Sequence, residues 1–324
     1  MTEKHVPFTV DALQYPRPSR ALFAEWRAAK LDAVHVTLVY HASFEEAGRA
    51  LGRWLTLARD HADLIRVAAS AADIRRAREE GRTAVLFGFQ NPSPIGDDLG
   101  LIAVWRRAGI AFMQPTYNNA SLLGSGHAEP VDGGLTLMGR EAVREMNRVG
   151  QVIDLSHAGE RTALDAIEAS GRPVAVTHAN PRRDRDTARN VSDAVIAALV
   201  ETGGMLGFSL YPHHLPDGPD CTLARFCRMV ADVAERFGTA NLGIGSDLCQ
   251  DQPDGEVEWM RTGRWTFRRD GAAFPPMPSW FRSNRDWNAL REGLIAHGFA
   301  ADEVAALLGD NWMRFLRDAL EPAP

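Results

Sequence analysis

The chain is poor in lysine and cysteine, and it lacks any long apolar run. Lys4 and Lys30 are its only lysines, and 42 acidic residues outnumber 36 Lys and Arg residues, so the formal net charge is −6. An acidic chain does not offer the basic surface that nucleic acids and anionic membranes select. We therefore expect neither a nucleic-acid partner nor a membrane partner.

Cysteine is represented only by Cys221, Cys227 and Cys249, too few for a disulfide framework, and the first two do not have a zinc-site spacing. Residues 1–16 contain no apolar segment of the kind found in secretory signals, and no window is apolar enough to span a bilayer. These absences predict a cytoplasmic protein with buried free thiols.

Eight short runs of β-branched and apolar residues recur along the 324 residues, and they do not alternate with polar residues. Parallel strands that are buried on both faces have this pattern. Helical patterns follow the runs, and strand–helix alternation repeated eight times is typical of a (β/α)8 barrel. We predict a single α/β domain over 1–324, a TIM barrel, with an open doubly wound sheet as the alternative. The predicted strands are 8–13, 33–39, 84–89, 110–116, 152–155, 174–177, 205–210 and 242–245.

Residues 249–283 interrupt the strand–helix alternation with a long loop rich in aromatic residues and proline. Structureless loops of this length are uncommon and are usually functional. We expect the loop to cover the carboxyl-end rim of the barrel or to contact a second subunit in a homodimer. An aromatic satellite packed on the flank of the barrel is the alternative.

Histidines and acids concentrate where the predicted strands end, which is the rim on which barrel enzymes place their active sites. His157 and His178 end two successive strands, and Asp247 follows the last one. Two imidazoles and a carboxylate suit zinc or a similar divalent ion. We predict one divalent metal ion, zinc by preference, on these residues; a site without metal stays open.

Other residues at the strand ends complete the predicted site. Arg189 can grip a carboxylate with its planar fork, although a helix cap or a solvated ion pair explains its spacing equally well. Asp154 precedes His157 within the strand and is expected to orient a neighbour. Tyr117, Asn118 and Tyr211 are predicted to contact the substrate, whereas His5, His35, His61, His127 and His297 receive no role.

Five motifs stand in order along the chain: VIDLSH with His157, PVAVTH with His178, ARNVSD with Arg189, GIGSD with Asp247, and DNWMRFL from Asp310. Together they resemble the membrane (renal) dipeptidase family of metallo-amidohydrolases. The resemblance implies a (β/α)8 barrel in which two bridged zinc ions hydrolyse dipeptides. It also implies that His157 and His178 bind the second metal. Asp247 would contact the first metal and handle the proton, and Arg189 would hold the terminal carboxylate of the substrate.

The sequence departs from that family at the first metal. The His-x-Asp pair of the family is matched by Leu13 and Tyr15, and its bridging glutamate is matched by Gln90. A neutral amide can offer a weak carbonyl ligand, but it cannot bridge two cations. The resemblance therefore predicts at most one metal ion, held by His157 and His178 with either Asp247 or Gln90.

The main functional hypothesis is a dipeptidase-like metallohydrolase that cleaves a dipeptide or a similar small amide. Asp247 would act as general base, and Tyr117, which matches the carbonyl-polarising histidine of the family, would donate to the oxyanion. The alternative is a degenerate barrel that binds a small carboxylate-bearing ligand without hydrolysis. A third hypothesis, metal-free isomerase or lyase chemistry with His157 and Asp247, rests on the fold alone.

Overall fold

The computed structural model describes residues 6–262 and 273–321, which form parallel strands surrounded by helices. The barrel strands are buried along nearly their whole length, and this burial explains why the sequence shows no alternation. The strands are β1 (Val10–Gln14), β2 (Ala33–Val39), β3 (Ile65–Ala68), β4 (Thr83–Phe89), β5 (Ile110–Met113), β6 (Val152–Ile153), β7 (Ala175–Ala179), β8 (Met205–Phe208) and β9 (Leu242–Ile244).

Eight of these strands close into a ring. One sheet runs β1-β2-β4-β5-β6 and a second runs β7-β8-β9, with parallel pairing throughout. Parallel bridges between Asp154 and Ala175 and between Gln14 and Leu248 join the two sheets at both edges. The predicted (β/α)8 barrel is confirmed, because its eight strands follow one another around this ring.

The strand β3 lies outside the ring, and the sequence pattern does not predict it. Ile65 to Ala68 pair with the first half of β4, whereas β5 pairs with β4 from Phe87 onward. The two strands therefore share one side of β4. With four residues, an arginine at position 66 and two half-buried positions, β3 carries too little apolar pattern to be recognised.

Helices cover the outside of the barrel, and six of the twelve described α-helices begin at a side-chain cap. Thr136, for example, accepts a hydrogen bond from the Gly139 amide at 2.9 Å, and Gly150 ends the same helix at φ 70°. The helices are α1 (Arg20–Ala28), α2 (Phe44–Asp60), α3 (Ala71–Glu79), α4 (Gly100–Arg107), α5 (Leu137–Val149), α6 (Glu160–Ala169), α7 (Asp193–Glu201), α8 (Leu223–Phe237), α9 (Val257–Thr262), α10 (Trp287–Ala296), α11 (Ala301–Ala305) and α12 (Asn311–Ala319). A π-helical stretch, Ala306–Asp310, joins the last two, and 3-10 helices span Ser93–Ile95, Gly218–Asp220, Asp254–Glu256 and Asn284–Asp286.

The helix α12 closes the end of the barrel opposite the predicted site. Its buried residues pack with residues near the starts of the strands, among them Val10 and Ala175. The Trp312 indole donates to the Ile244 carbonyl at 3.1 Å, and it lies where a side chain on Gly243 would be. The closing DNWMRFL motif therefore builds the barrel floor. Among the described residues, no helix combines the length and the apolar character of a membrane span.

The long loop is partly structured, so the prediction of a structureless segment over 249–283 is wrong. It contains the 3-10 helix Asp254–Glu256 and the helix α9. Met260 and Phe274 line the cavity at the rim, whereas Trp280 packs in a tilted arrangement against Phe226 of α8 at a centroid distance of 5.4 Å. Different parts of the segment thus cover the rim and the flank. Trp265 and Phe267 lie outside the described residues.

Candidate active site

The two predicted histidines meet at the rim. His157 follows β6 and His178 lies within β7, and adjacent parallel strands place their Nε2 atoms 3.1 Å apart. Both side chains are buried, His178 completely. The closeness that the sequence predicts for this pair is present in the structure.

Hydrogen bonds to the outer nitrogen atoms fix both imidazole rings. Thr177 donates its hydroxyl hydrogen to Asp154 at 2.6 Å, so its oxygen accepts from Nδ1 of His178 at 2.8 Å. Asn118 Oδ1 accepts from Nδ1 of His157 at 2.7 Å. With hydrogen on Nδ1, each Nε2 atom is an acceptor. Two lone pairs therefore face each other, an arrangement that favours a positively charged group beside them.

The guanidinium of Arg189 lies against this histidine pair. Its Nη2 atom is 3.3 Å from Nε2 of His157 and donates to the His178 carbonyl at 2.8 Å. Burial lowers the pKa of Arg189 to about 10, and burial together with this guanidinium lowers the pKa of both histidines well below 6.5. The Nε and Nη1 atoms of Arg189 lack a hydrogen-bond partner among the described residues. The guanidinium therefore has unused hydrogen-bond donors that can bind an anion.

Asp247 lies on the same rim in a strained backbone conformation. Its φ of 55° is left-handed, as is the φ of 56° at Asn118. Its amide donates to the Leu13 carbonyl at 3.0 Å, and its Oδ2 atom is 3.9 Å from Nδ1 of His214. Burial raises the pKa of Asp247 to about 7, although the Arg189 charge opposes the rise.

A cavity of about 520 Å³ opens onto these groups. It includes every residue predicted for the site except His178 and Asp154. The cavity also contains His127, which the sequence analysis gives no role. His127 hydrogen-bonds Asn118 at 2.9 Å, and it lies in an irregular loop that no periodic pattern marks, so sequence reasoning does not find this contact. The lining residues are Tyr40, Gln90, Tyr117, Asn118, Asn119, His127, Ala128, His157, Arg185, Thr187, Arg189, Tyr211, His213, His214, Asp247, Cys249, Val257, Met260 and Phe274.

The surroundings of Leu13 and Tyr15, which the resemblance matches to ligands of a first metal, are apolar and aromatic. Leu13 is fully buried, and the Tyr15 ring packs edge-on against Tyr40 at 4.9 Å. Tyr40 in turn contacts Tyr117 at 4.7 Å. Gln90 donates its amide hydrogen to Thr37 at 2.6 Å. These side chains do not supply the charged oxygen ligands that a divalent ion requires at that position.

The histidine pair offers two ligands for one ion, since a separation of 3.1 Å can be bridged by two metal–nitrogen bonds of about 2.0–2.1 Å. Within 6–262 and 273–321, however, no three His, Cys, Asp or Glu side chains are grouped closely enough to hold a metal. His157, His178 and Asp247 therefore do not form a preformed three-ligand set in this structure, and Arg189 lies beside the histidine pair. Gln90 as a third ligand stays a prediction.

Known proteins resemble this chain along most of its length. The sequence profile of the membrane dipeptidase family, peptidase family M19, matches residues 29–258. Dipeptidase tcpJ of Claviceps purpurea is 26% identical over 298 residues, which are 90% of this chain and 63% of that protein. Dipeptidase aclJ of Aspergillus oryzae is 25% identical over 262 residues, 79% of this chain and 57% of its own length. The chain thus spans about three-fifths of the length of these relatives.

Solved structures extend the likeness to the whole fold. An amidohydrolase from Pseudomonas aeruginosa has a TM-score of 0.91 and 32% identity, with 97% of both chains covered. A metallopeptidase from Rhodobacter sphaeroides, solved with a phosphinate mimic of L-Ala-D-Ala, has a TM-score of 0.81 and 19% identity. That comparison covers 97% of this chain and 100% of the other, and at this identity it shows the fold alone. The fold and the profile match over 29–258 agree, and the chain belongs to the membrane dipeptidase family.

Proposed function

We propose that this chain hydrolyses the amide bond of a dipeptide, or of a similar small amide with a free carboxylate, with at most one divalent ion, zinc. One observation carries the proposal: the buried Arg189, with two unpartnered guanidinium nitrogens, lies beside the histidine pair and the Asp247 carboxylate in one cavity. An anion anchor and an acid–base group on one cavity are what the cleavage of a carboxylate-bearing amide requires.

Arg189 anchors the carboxylate of the substrate. Its Nε and Nη1 atoms have no protein partner, so the guanidinium keeps charged hydrogen-bond donors for a carboxylate oxygen. Tyr117 donates a hydrogen bond to the carbonyl oxygen of the scissile amide. Burial raises the pKa of the Tyr117 phenol well above 10, so the hydroxyl keeps its proton at neutral pH.

Asp247 moves the proton. As a carboxylate it accepts hydrogen from the attacking water, and as a carboxylic acid it returns that hydrogen to the leaving amine. A pKa of about 7 suits both steps near neutral pH.

His157 and His178 would hold the metal ion through Nε2, and a bound ion supplies a polarised carbonyl and a more acidic water. Asn118 and Thr177 keep both nitrogens available by binding the opposite side of each ring. Metal analysis of purified protein, followed by a dipeptide panel with added zinc, cobalt or manganese, tests this scheme. We expect His178→Ala to lose both metal content and turnover. Turnover retained by metal-free His178→Ala would contradict the scheme.

A second candidate is ligand binding without hydrolysis. It is favoured by Leu13 and Tyr15 at the first-metal position and by the guanidinium against the histidine pair. This hypothesis predicts that carboxylate-bearing amides raise the melting temperature in chelator, and that no metal yields turnover. A homodimer and a cytoplasmic location remain proposals that rest on the sequence.

A further inference from the structure

The charges on the cavity wall are unbalanced. Among its described lining residues, Arg185 and Arg189 are cations and Asp247 is the single carboxylate. Even with Asp247 fully ionised and balanced by Arg189, the described wall keeps one positive charge.

The other nearby acids are already used by the protein. Asp11 accepts from the hydroxyl of Ser246 at 2.5 Å and from Gln14 at 2.7 Å. Asp154 accepts from Thr177 and from Ser156, and Glu256, which influences Tyr15, does not line the cavity. Among the residues that the structure describes, an ammonium group on a ligand would therefore have only Asp247 as a charged partner, and the positive charge of Arg189 lies near that carboxylate.

Aromatic and apolar side chains form the wall beside Gln90. Tyr40, Tyr117, Met260 and Phe274 line it, and we call these four residues the aromatic wall. Tyr40 packs at 4.7 Å against Tyr117 and at 6.0 Å against Trp259, which lies behind the wall. The backbone N–H of Gln90 donates to the Val39 carbonyl at 3.2 Å, which places Gln90 beside the segment that carries Tyr40. This wall favours an apolar group and offers no acid to an amine.

We propose that the preferred substrates are N-acyl amino acids with an apolar, preferably aromatic, acyl group, rather than dipeptides with a charged amino terminus. The inference rests on the proposed function and specifies its substrate class. Arg189 holds the carboxylate and the aromatic wall receives the acyl chain. An α-ammonium there would be desolvated next to Arg189 without a free acid, which is unfavourable.

The reaction is an ordinary hydrolysis. The oxygen of water forms a bond to the acyl carbon and the amide C–N bond breaks. One hydrogen of the water passes through Asp247 to the amine nitrogen. The products are a carboxylic acid and a free amino acid, so no oxidant or second substrate is required.

Two ligands of the same shape test the proposal. L-Phe-Gly and 3-phenylpropanoylglycine differ only by the α-ammonium group. Both measurements are made at pH about 6.5, where a terminal amine is protonated. By calorimetry in chelator, 3-phenylpropanoylglycine should bind at least tenfold more tightly than L-Phe-Gly. With added zinc, its kcat/KM should also be at least tenfold higher. Equal or stronger preference for L-Phe-Gly would overturn this inference and leave the proposed function standing. Failure of both ligands to bind would overturn both.

A charge placed next to the aromatic wall provides the second test. Gln90→Glu keeps the shape of the side chain and can accept a hydrogen bond from Thr37, but it adds the acid that an ammonium needs. It should therefore reduce the ratio of the two ligand affinities, measured by calorimetry in chelator, by about tenfold. Gln90→Met, the matched control, removes the amide without adding charge and should keep the preference. An unchanged preference in a folded Gln90→Glu protein would count against the proposal.

Discussion

At the scale of single residues, the site depends on groups whose protonation is set by burial. Asp247 is buried among Tyr117, Arg189 and the histidines, and its carboxyl group holds a proton to higher pH than a solvated aspartate. The same burial keeps the imidazoles of His157 and His178 neutral. Their Nε2 atoms therefore act as acceptors at neutral pH, where a ligand or an ion can use them.

Activity should rise with pH through about 7. The general base must be a carboxylate, and the pKa of Asp247 is raised to about 7, so the active form is lost as pH falls below that value. The measurement is kcat/KM against pH on a small amide substrate. Asp247→Asn should abolish this rise of kcat/KM with pH and lower activity by about 100-fold or more. If the rise with pH persists in Asp247→Asn, the pH dependence belongs to another group.

Thr177→Val should lower activity by about 10–100-fold with little change in fold, because the hydroxyl links Asp154 to His178 and fixes which nitrogen of the ring carries hydrogen. Thr177→Ser keeps the hydroxyl and is the matched control. Metal affinity and kcat/KM of both variants, with circular dichroism to check the fold, provide the measurement. A loss in Thr177→Ser without a loss in Thr177→Val would point to packing of the Thr177 methyl group instead.

At the scale of helices and strands, most boundaries follow from local chemistry. The helix α6 begins directly after Gly159 and the helix α8 ends directly before Gly238, as glycines at helix ends favour. The strand β3 escapes recognition, and the helix α9 stands in a stretch that was predicted as a loop. Both elements are short, so their stability comes from tertiary contacts more than from the local sequence.

Gly52→Ala should stabilise the protein by about 0.5–1 kcal/mol, because Gly52 is inside α2 and a methyl group there would contact nothing within 4 Å. The free energy of unfolding from a denaturant titration measures the effect. Activity should stay unchanged, since the helix lies away from the cavity lining. A destabilised Gly52→Ala protein would show that the helix surface has a partner.

At the scale of the whole molecule, the barrel is closed by contacts between residues far apart in sequence. The bridges at Asp154 and Gln14 join the two sheets, and Trp312 fills the floor. Asp11 accepts hydrogen bonds from the backbone and hydroxyl of Ser246, and this ties the first strand to the segment that carries Asp247. The geometry of the rim therefore depends on the closure of the ring.

Gly243→Ala tests that closure. A Cβ at this position would lie 2.2 Å from Nε1 of Trp312, so the indole or the strand must move. We expect a loss of about 1–3 kcal/mol in the free energy of unfolding, as for an overpacked core. The double variant with Trp312→Phe should recover part of the loss. No loss in Gly243→Ala would mean that the floor is loosely packed.

The sequence by itself determined the barrel and the histidine pair, because periodicity reports burial and the ends of parallel strands share one rim. It also identified Arg189 and Asp247 as residues of that rim. Only the tertiary structure decided what those groups meet. Arg189 lies against His157, His127 enters the cavity from an irregular loop, and Tyr15 packs on Tyr40, since these contacts join residues whose separation no sequence period encodes.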